Sequence, residues 1–271
     1  MEKNMITSVS NSRVKRVVAL NTKARERRLE GRYVVEGIKL FQEAPEEEMD
    51  EIYISEHFLQ MASASACAGK LERLGYETVS EEVFRKMSSP QGVLCVMRRK
   101  EYRLEDMLAG ENPFLLILEE LQDPGNLGTI LRTAEGAGVD GVILSRESAD
   151  IYNPKTIRST MGSIYRVPFY YADSLEEASK VLKGAGIRLY AAYLQGSTWY
   201  DEADYRVGSA FLIGNEGNGL RPETAALADQ RIRIPMKGKV ESLNAAMAAG
   251  ILMYEAAGQR RRGAEGSKNG I

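Results

Sequence analysis

Residues 114–118 read FLLIL, five apolar residues in a row. A half-buried strand alternates in polarity. An unbroken run fits a strand covered on both faces, as in a parallel sheet flanked by helices. The residues beyond Leu118 keep to that arrangement. Leu127, Ile130, Leu131 and Ala134 fall at helical spacing and predict a helix over 127–137. A strand DGVILS, a polar segment NPKTIRSTMGS, a strand YRVPFYY, a helix SLEEASKVLKGAG and strands IRLYAAYL and SAFLIGNE come next. A Gly-rich turn, a short helix PETAALA, a strand RIRIPM and a long helix from about Ser242 to Gln259 complete this half. Strands alternating with helices imply an α/β fold with an open parallel sheet. The tail RRRGAEGSKNGI reads as disordered.

A smaller α/β pattern precedes it. SNSRVKRVVALNTKARERRLE is a basic, helix-prone stretch behind an Asn/Ser start. RYVVEG, EIYISE, YETVS and GVLCVM read as strands. HFLQMASASACAGKLERLG reads as one helix stopped by Gly75, and EEVFRKM as a short one. Residues 98–113 carry charge, Gly110 and Pro113 and read as a linker. The expected domains are therefore 1–105 and 106–271.

Charge narrows the partners. Lys and Arg number 36 against 38 Asp and Glu in 271 residues, a net −2, so the chain has no global basic bias. Residues 1–40, however, hold ten Lys/Arg and four Asp/Glu, and residues 43–56 hold seven acids and no base. Arg98-Arg99-Lys100 and Arg260-Arg261-Arg262 are further basic clusters. A basic face at the N-terminus is either plain solvated surface or a phosphate-binding patch. No apolar run is long enough to span a membrane, and the start MEKNMITSVSNSR has no apolar signal region. Cys67 and Cys95 sit in apolar surroundings and read as packing thiols. No metal site and a cytoplasmic setting are expected. The only histidine, His57, belongs to no motif.

GAGVDG (136–141) matches the G-x-G-x-x-G spacing of dinucleotide-binding proteins, but its context is reversed. Such a fingerprint follows a strand and opens a helix. Here the glycines follow a helix and precede the strand VILS, so they terminate the helix. GNEGNGL (214–220) lacks the Lys-Ser/Thr ending of a phosphate loop and carries a carboxylate. It suits a cation or hydroxyl groups better than phosphate. Upstream, Asn126 stands where a helix N-cap is expected, and Arg132 stands out in an otherwise apolar, small-residue helix.

NLGTILRTAEGAGVDGVIL, FLIGNEGNGLRPE and IRIPMKGKVESLNAAMAAGILMYEA resemble, in order, the three motifs of the SpoU/TrmH family of RNA ribose 2′-O-methyltransferases. YNPKTIRSTMGSIYRVPF is also similar to that family. The N-terminal SNSRVKRVVALNTKARERRLEGRYVVEGIKLFQEA resembles the ribosomal-protein-like α/β domain that binds the RNA substrate in many members. The polar motif positions are intact. NAAMAAG, where relatives often carry Val or Ser, is a change among small residues.

The resemblance implies a knotted parallel-sheet SPOUT methyltransferase domain, with a trefoil knot, behind a small RNA-binding domain. It implies S-adenosylmethionine as cofactor, held at Gly214, Ile234, Met236, Ser242, Leu243 and Asn244. Arg132 matches the catalytic arginine, with Asn126, Glu216, Ser242 and Asn244 as the remaining polar positions. Asn126 is assigned to orienting Arg132 or the ribose. For Ser242 and Asn244 simple helix capping stays open. Arg13, Lys15, Arg16, Lys23, Arg25, Arg27 and Arg28 are expected to contact RNA, ribosomal rather than transfer RNA. A homodimer through the C-terminal helix is implied. The alternatives are methylation of a tRNA ribose or an RNA base, or a non-catalytic RNA-binding or assembly protein.

Overall fold

The structure is a computed structural model that describes residues 5–88, 91–196 and 198–268. It divides into two compact units, one of residues up to Lys100 together with Asp150–Tyr165, the other of Glu101–Ala149 with Arg166 onward.

The first unit opens with α1 (Ser12–Thr22), capped by Asn11, and α2 (Ala24–Glu30). The single basic stretch is thus two helices, because the backbone at Lys23 is extended and breaks the first. β1 (Arg32–Glu36), α3 (Ile38–Glu43), β2 (Met49–Ser55), α4 (Ala68–Leu74), β3 (Glu77–Val79), α5 (Glu81–Met87) and β4 (Val93–Arg98) follow. The expected helix over 57–75 is α only from Ala68. Two 3-10 turns, Phe58–Gln60 and Ala62–Ala66, precede it. The sheet order is β1-β4-β2-β3, antiparallel except for β2 with β3. Val14, Val17 and Leu20 of α1 pack with Val83, Phe84 and Met87 of α5 over its core.

The segment 150–165 belongs with this unit by its contacts, although the sequence places it inside the second α/β run. The Arg27 guanidinium, 3% exposed as a residue, bonds Asp150 at 2.7–2.8 Å and the Leu20 carbonyl. Arg158 pairs with buried Glu36. Tyr152 stacks on Tyr33 at 4.4 Å between centroids, and the Tyr165 hydroxyl donates to the Leu40 carbonyl.

The second unit runs β5 (Phe114–Leu118), α6 (Pro124–Ala137), β6 (Gly141–Ser145), then past α7 (Pro154–Thr160) of the first unit to β7 (Phe169–Ala172), α8 (Leu175–Gly184), β8 (Arg188–Ala192), β9 (Thr198–Trp199), β10 (Ser209–Ile213), α9 (Pro222–Ala225), β11 (Gln230–Arg233) and α10 (Ala245–Lys268). All neighbours in its sheet are parallel, in the order β7-β6-β5-β10-β8-β11-β9. FLLIL is fully buried on both faces, and one face carries a core of Leu115, Ile117, Ile143, Leu182, Leu189 and Leu212.

Of the tail expected to be disordered, residues 260–268 are instead the end of α10, and 269–271 lie outside the described residues. Arg260 explains part of that. Its guanidinium donates to the carbonyls of Tyr205, Asn112 and Val207 and to the Ser209 hydroxyl, and lies 4.8 Å from the Phe114 ring centroid. A charge run in the sequence hides one arginine that is a tie.

Candidate active site

β5 and β10 are neighbours where the sheet's connectivity divides: β6 and β7 extend to one side, β8, β11 and β9 to the other. Loops leaving the carboxyl ends of strands at such a point form a ligand crevice. The loop after β5 and the Gly-rich loop after β10 meet there.

α6 begins with Pro124 at its first position, and the Asp123 side chain accepts the N–H of Asn126 at 2.8 Å. The N-cap is therefore Asp123, not Asn126 as the sequence suggested. Proline suits the first helical position, where no partner for an N–H is needed, and shifts the cap to the residue before it. The Asn126 side chain is thereby released from capping. Its Nδ2 donates to Glu216 Oε1 at 3.1 Å and its Oδ1 accepts from Asn244 Nδ2 at 3.0 Å. Glu216 also accepts the backbone N–H groups of Gln122 (3.0 Å) and Asp123 (2.9 Å). Asn244 Oδ1 accepts from the N–H groups of Ala246 and Met247, so Asn244 is the cap of α10 as well as a member of this network. Burial pushes the Glu216 carboxyl up. The donors Gln122, Asn126 and Asp123 outweigh it and hold the group below its ordinary value.

Two further ties fix the loops. Glu120 takes the left-handed backbone conformation (φ 48°), rare for a non-glycine residue, and its carbonyl accepts from Asn215 Nδ2 at 2.8 Å. Glu119, 1% exposed, accepts from Arg221 N and Nε at 2.9 and 2.8 Å and from the Thr224 hydroxyl. Gly214 is required by close approach. A Cβ there would lie 2.1 Å from Gly219 C and Leu220 N.

Under this lacing is a cavity of about 240 Å³. Gly214, Ile234, Met236, Ser242 and Leu243 all line it, as do Ile213, Tyr193 and Leu252. Asn244, expected among the cofactor contacts, does not. Its side chain is spent on the cap and on Asn126. The charged residues at the wall are Glu216, Glu241 and Arg233. An apolar floor, backbone edges of a Gly-rich turn and two carboxylates match S-adenosylmethionine, which joins an apolar adenine and carbon chain to cationic sulfonium and ammonium centres.

Arg132 is apart from this cavity. It is exposed on α6 with no partner among the described residues. Six residues separate it from Asn126, roughly 240° around the helix, so Asn126 does not orient it within one chain. Exposed Met247 and Tyr254 lie on α10, which packs on α6 with the Tyr254 hydroxyl close to Gly136.

Of the arginines and lysines expected to meet RNA, Lys15, Lys23, Arg25 and Arg28 are exposed, without ion-pair partners among the described residues. Arg13 is exposed and pairs with Glu77 at 2.9 Å. Arg16 is held by Glu30 and Glu51. Arg27 is corrected to a structural residue, since its burial against Asp150 removes it from any surface. His57 is exposed beside Glu56. Sequence reasoning missed Glu119, Gln122, Asp123, Arg221 and Arg233. Of these only Asp123-Pro124 carried a local signal, the capping residue before a proline.

The SpoU rRNA Methylase family matches residues 113–254, and the MRM3-like substrate binding domain matches residues 11–95. The 23S rRNA (guanosine(2553)-2′-O)-methyltransferase RlmP of Bacillus subtilis is 32% identical over 259 residues, covering 93% of this chain and 99% of its own. The SpoU methyltransferase AviRb from Streptomyces viridochromogenes, solved in complex with the cofactor AdoMet, superimposes with a TM-score of 0.84 at 26% identity. That match covers 93% of this chain and 100% of AviRb. An AdoMet-bound rRNA methyltransferase from Sinorhizobium meliloti gives 0.80 at 32% identity, covering 96% and 98%. With a family match over more than half its length and a relative aligned almost end to end, the chain belongs to the SpoU rRNA methylase family.

Proposed function

We propose that this chain is an S-adenosylmethionine-dependent RNA methyltransferase that methylates a ribose 2′-hydroxyl in ribosomal RNA. The observation that carries the reading is the Glu216–Asn126–Asn244 network closing over a cavity at the division of a parallel sheet. When bound there, the cofactor supplies an electrophilic methyl group on sulfur. Ile213, Ile234, Met236 and Leu243 would enclose its apolar parts, with Gly214 and Ser242 at the edges. Glu216 is kept ionised by its donors, and it holds the loop after β5 in register with the loop after β10.

The ribose hydroxyl is a weak nucleophile whose developing negative charge must be met. Arg132 is the residue for that task. An arginine pKa of about 12.5–13.8 makes it a poor base, and its fork suits the hydroxyl together with the adjacent phosphate. The proton then leaves to phosphate or water. Arg132 faces outward from α6, so the active unit is a homodimer. A partner covers Met247 and Tyr254 and brings Arg132 towards a cavity. Met247→Glu lowers the mass seen in sedimentation and lowers turnover with it.

Lys15, Lys23, Arg25 and Arg28 of the first unit supply sequence-independent phosphate contacts. Relatives bearing guanosine and uridine names both match this chain, so the base at the target follows from RNA mapping. The test is methyl incorporation into ribosomal RNA, followed by alkaline digestion. A 2′-O-methylated nucleotide resists cleavage. Incorporation into alkali-labile positions would assign the methyl to a base, and no incorporation or cofactor binding would assign an assembly role.

A further inference from the structure

Among the described residues, Arg233 is the only cation on the cavity wall, and no carboxylate answers it. It is the last residue of β11 and sits directly across from Trp199 of β9 in the parallel ladder. Lateral neighbours in a ladder put their side chains on one face, and the Arg233 guanidinium carbon lies 3.9 Å from the Trp199 ring centroid. Its Nε is buried without a hydrogen-bond partner. Three other guanidiniums of this unit are committed: Arg260 to three carbonyls and a hydroxyl, Arg221 to Glu119, Arg206 to Asp204. A buried guanidinium N–H with no acceptor is costly to hold unless a ligand completes it.

We infer that Arg233, propped on Trp199, is the subsite for the carboxylate of the cofactor's amino-acid end. This rests on the reading of the cavity as the S-adenosylmethionine site. The cofactor has three charged groups, of which two are cations and one is a carboxylate. The wall has three charged residues of the complementary signs, Glu216, Glu241 and Arg233. A planar guanidinium forms paired hydrogen bonds with a carboxylate. The stack on Trp199 fixes the plane of the fork and leaves its N–H edges for the ligand. A phosphate of the RNA is the rival anion, and the cofactor's own carboxylate is favoured because Arg233 is a residue of the cavity wall and its Nε is shielded from water.

The test is calorimetric titration of the full-length wild-type and Arg233→Met proteins with S-adenosylmethionine and with its decarboxylated analogue, which keeps both cationic centres. A charged hydrogen bond contributes roughly 1.5–3 kcal/mol, so the wild type should prefer the carboxylated ligand by roughly ten- to a hundredfold. Arg233→Met should erase that preference and bind the analogue as the wild type does. Trp199 is the only tryptophan, so its fluorescence reports the stack: it should shift on adding the carboxylated ligand and hold still with the analogue. Equal wild-type affinity for the two ligands overturns the inference and leaves the cofactor site standing. So does an Arg233→Met protein that loses both ligands alike, or one that loses only RNA affinity. A wild type that binds neither ligand overturns the reading of the cavity beneath it.

Discussion

Glu216 and Arg132 divide the proposed chemistry between a residue committed to many partners and one committed to none among the described residues. Glu216 accepts from two backbone amides and the Asn126 amide. Replacing it by Gln keeps the shape, removes the charge and turns one acceptor into a donor facing donors. Because its carboxyl is held below the ordinary 4.5, the folded state favours the ionised form. The resulting stability is complete above the unfolded value and is lost as pH falls through the lowered one. Thermal unfolding followed downward from pH 6 should fall more steeply in the wild type than in Glu216→Gln. Parallel curves would remove the carboxylate from the lacing. Arg132 has no bonded partner among the described residues, so Arg132→Lys leaves the fold and cofactor affinity alone. Losing one aimed donor set at a developing oxyanion costs roughly 10²–10³ in turnover. Methyl incorporation at near-normal rate by Arg132→Lys would show that the fork has no part in the reaction.

Helix α10 shows how a segment can be more ordered than its composition suggests. Arg260 closes the amino-terminal edge of the sheet by donating to Asn112, Tyr205 and Val207 carbonyls. Arg260→Met would keep the length and strand these acceptors. With unsatisfied buried groups costing about 1–3 kcal/mol, urea unfolding should show a loss of about 2–3 kcal/mol. A change below about 0.5 kcal/mol, that of an ordinary surface site, would return Arg260 to the solvated tail. The central strands were legible because FLLIL and its kin report two-sided burial directly, whereas the two-residue β9, half-buried and exposed in turn, was not. The helix at 124–137 was legible from its apolar spacing, but its start was not, since Pro124 moved the cap to Asp123. The lacing was not legible either. It depends on Glu119, Glu216 and Asn244 meeting their partners across 90 to 118 residues of chain, and periodicity carries no information about pairs so far apart. The burial of Arg27 was hidden for the same reason, because Asp150 lies 123 residues away.

Two compact units with distinct chemistry suggest that RNA capture and cofactor binding are separable in one experiment. The first unit carries Lys15, Lys23, Arg25 and Arg28, which have no ion-pair partner among the described residues, on α1, α2 and the turn between them. Each phosphate contact on a single strand releases about 0.7 counterion. The cavity's lining residues all belong to the second unit and, among the described residues, include one cation, Arg233, against two acids, so its affinity for a small ligand has little reason to track salt. Raising salt should therefore raise KM for RNA steeply while the calorimetric Kd for S-adenosylmethionine stays nearly flat. Substituting Lys23, Arg25 and Arg28 together by Gln should lower the slope of log KM against log salt by about 2, the sum of three lost contacts. It should leave cofactor Kd and unfolding stability unchanged, because none of the three gives up an ion pair to a described residue. If the slope holds while KM rises, these side chains shape the surface without meeting phosphate, and the counterions are released elsewhere.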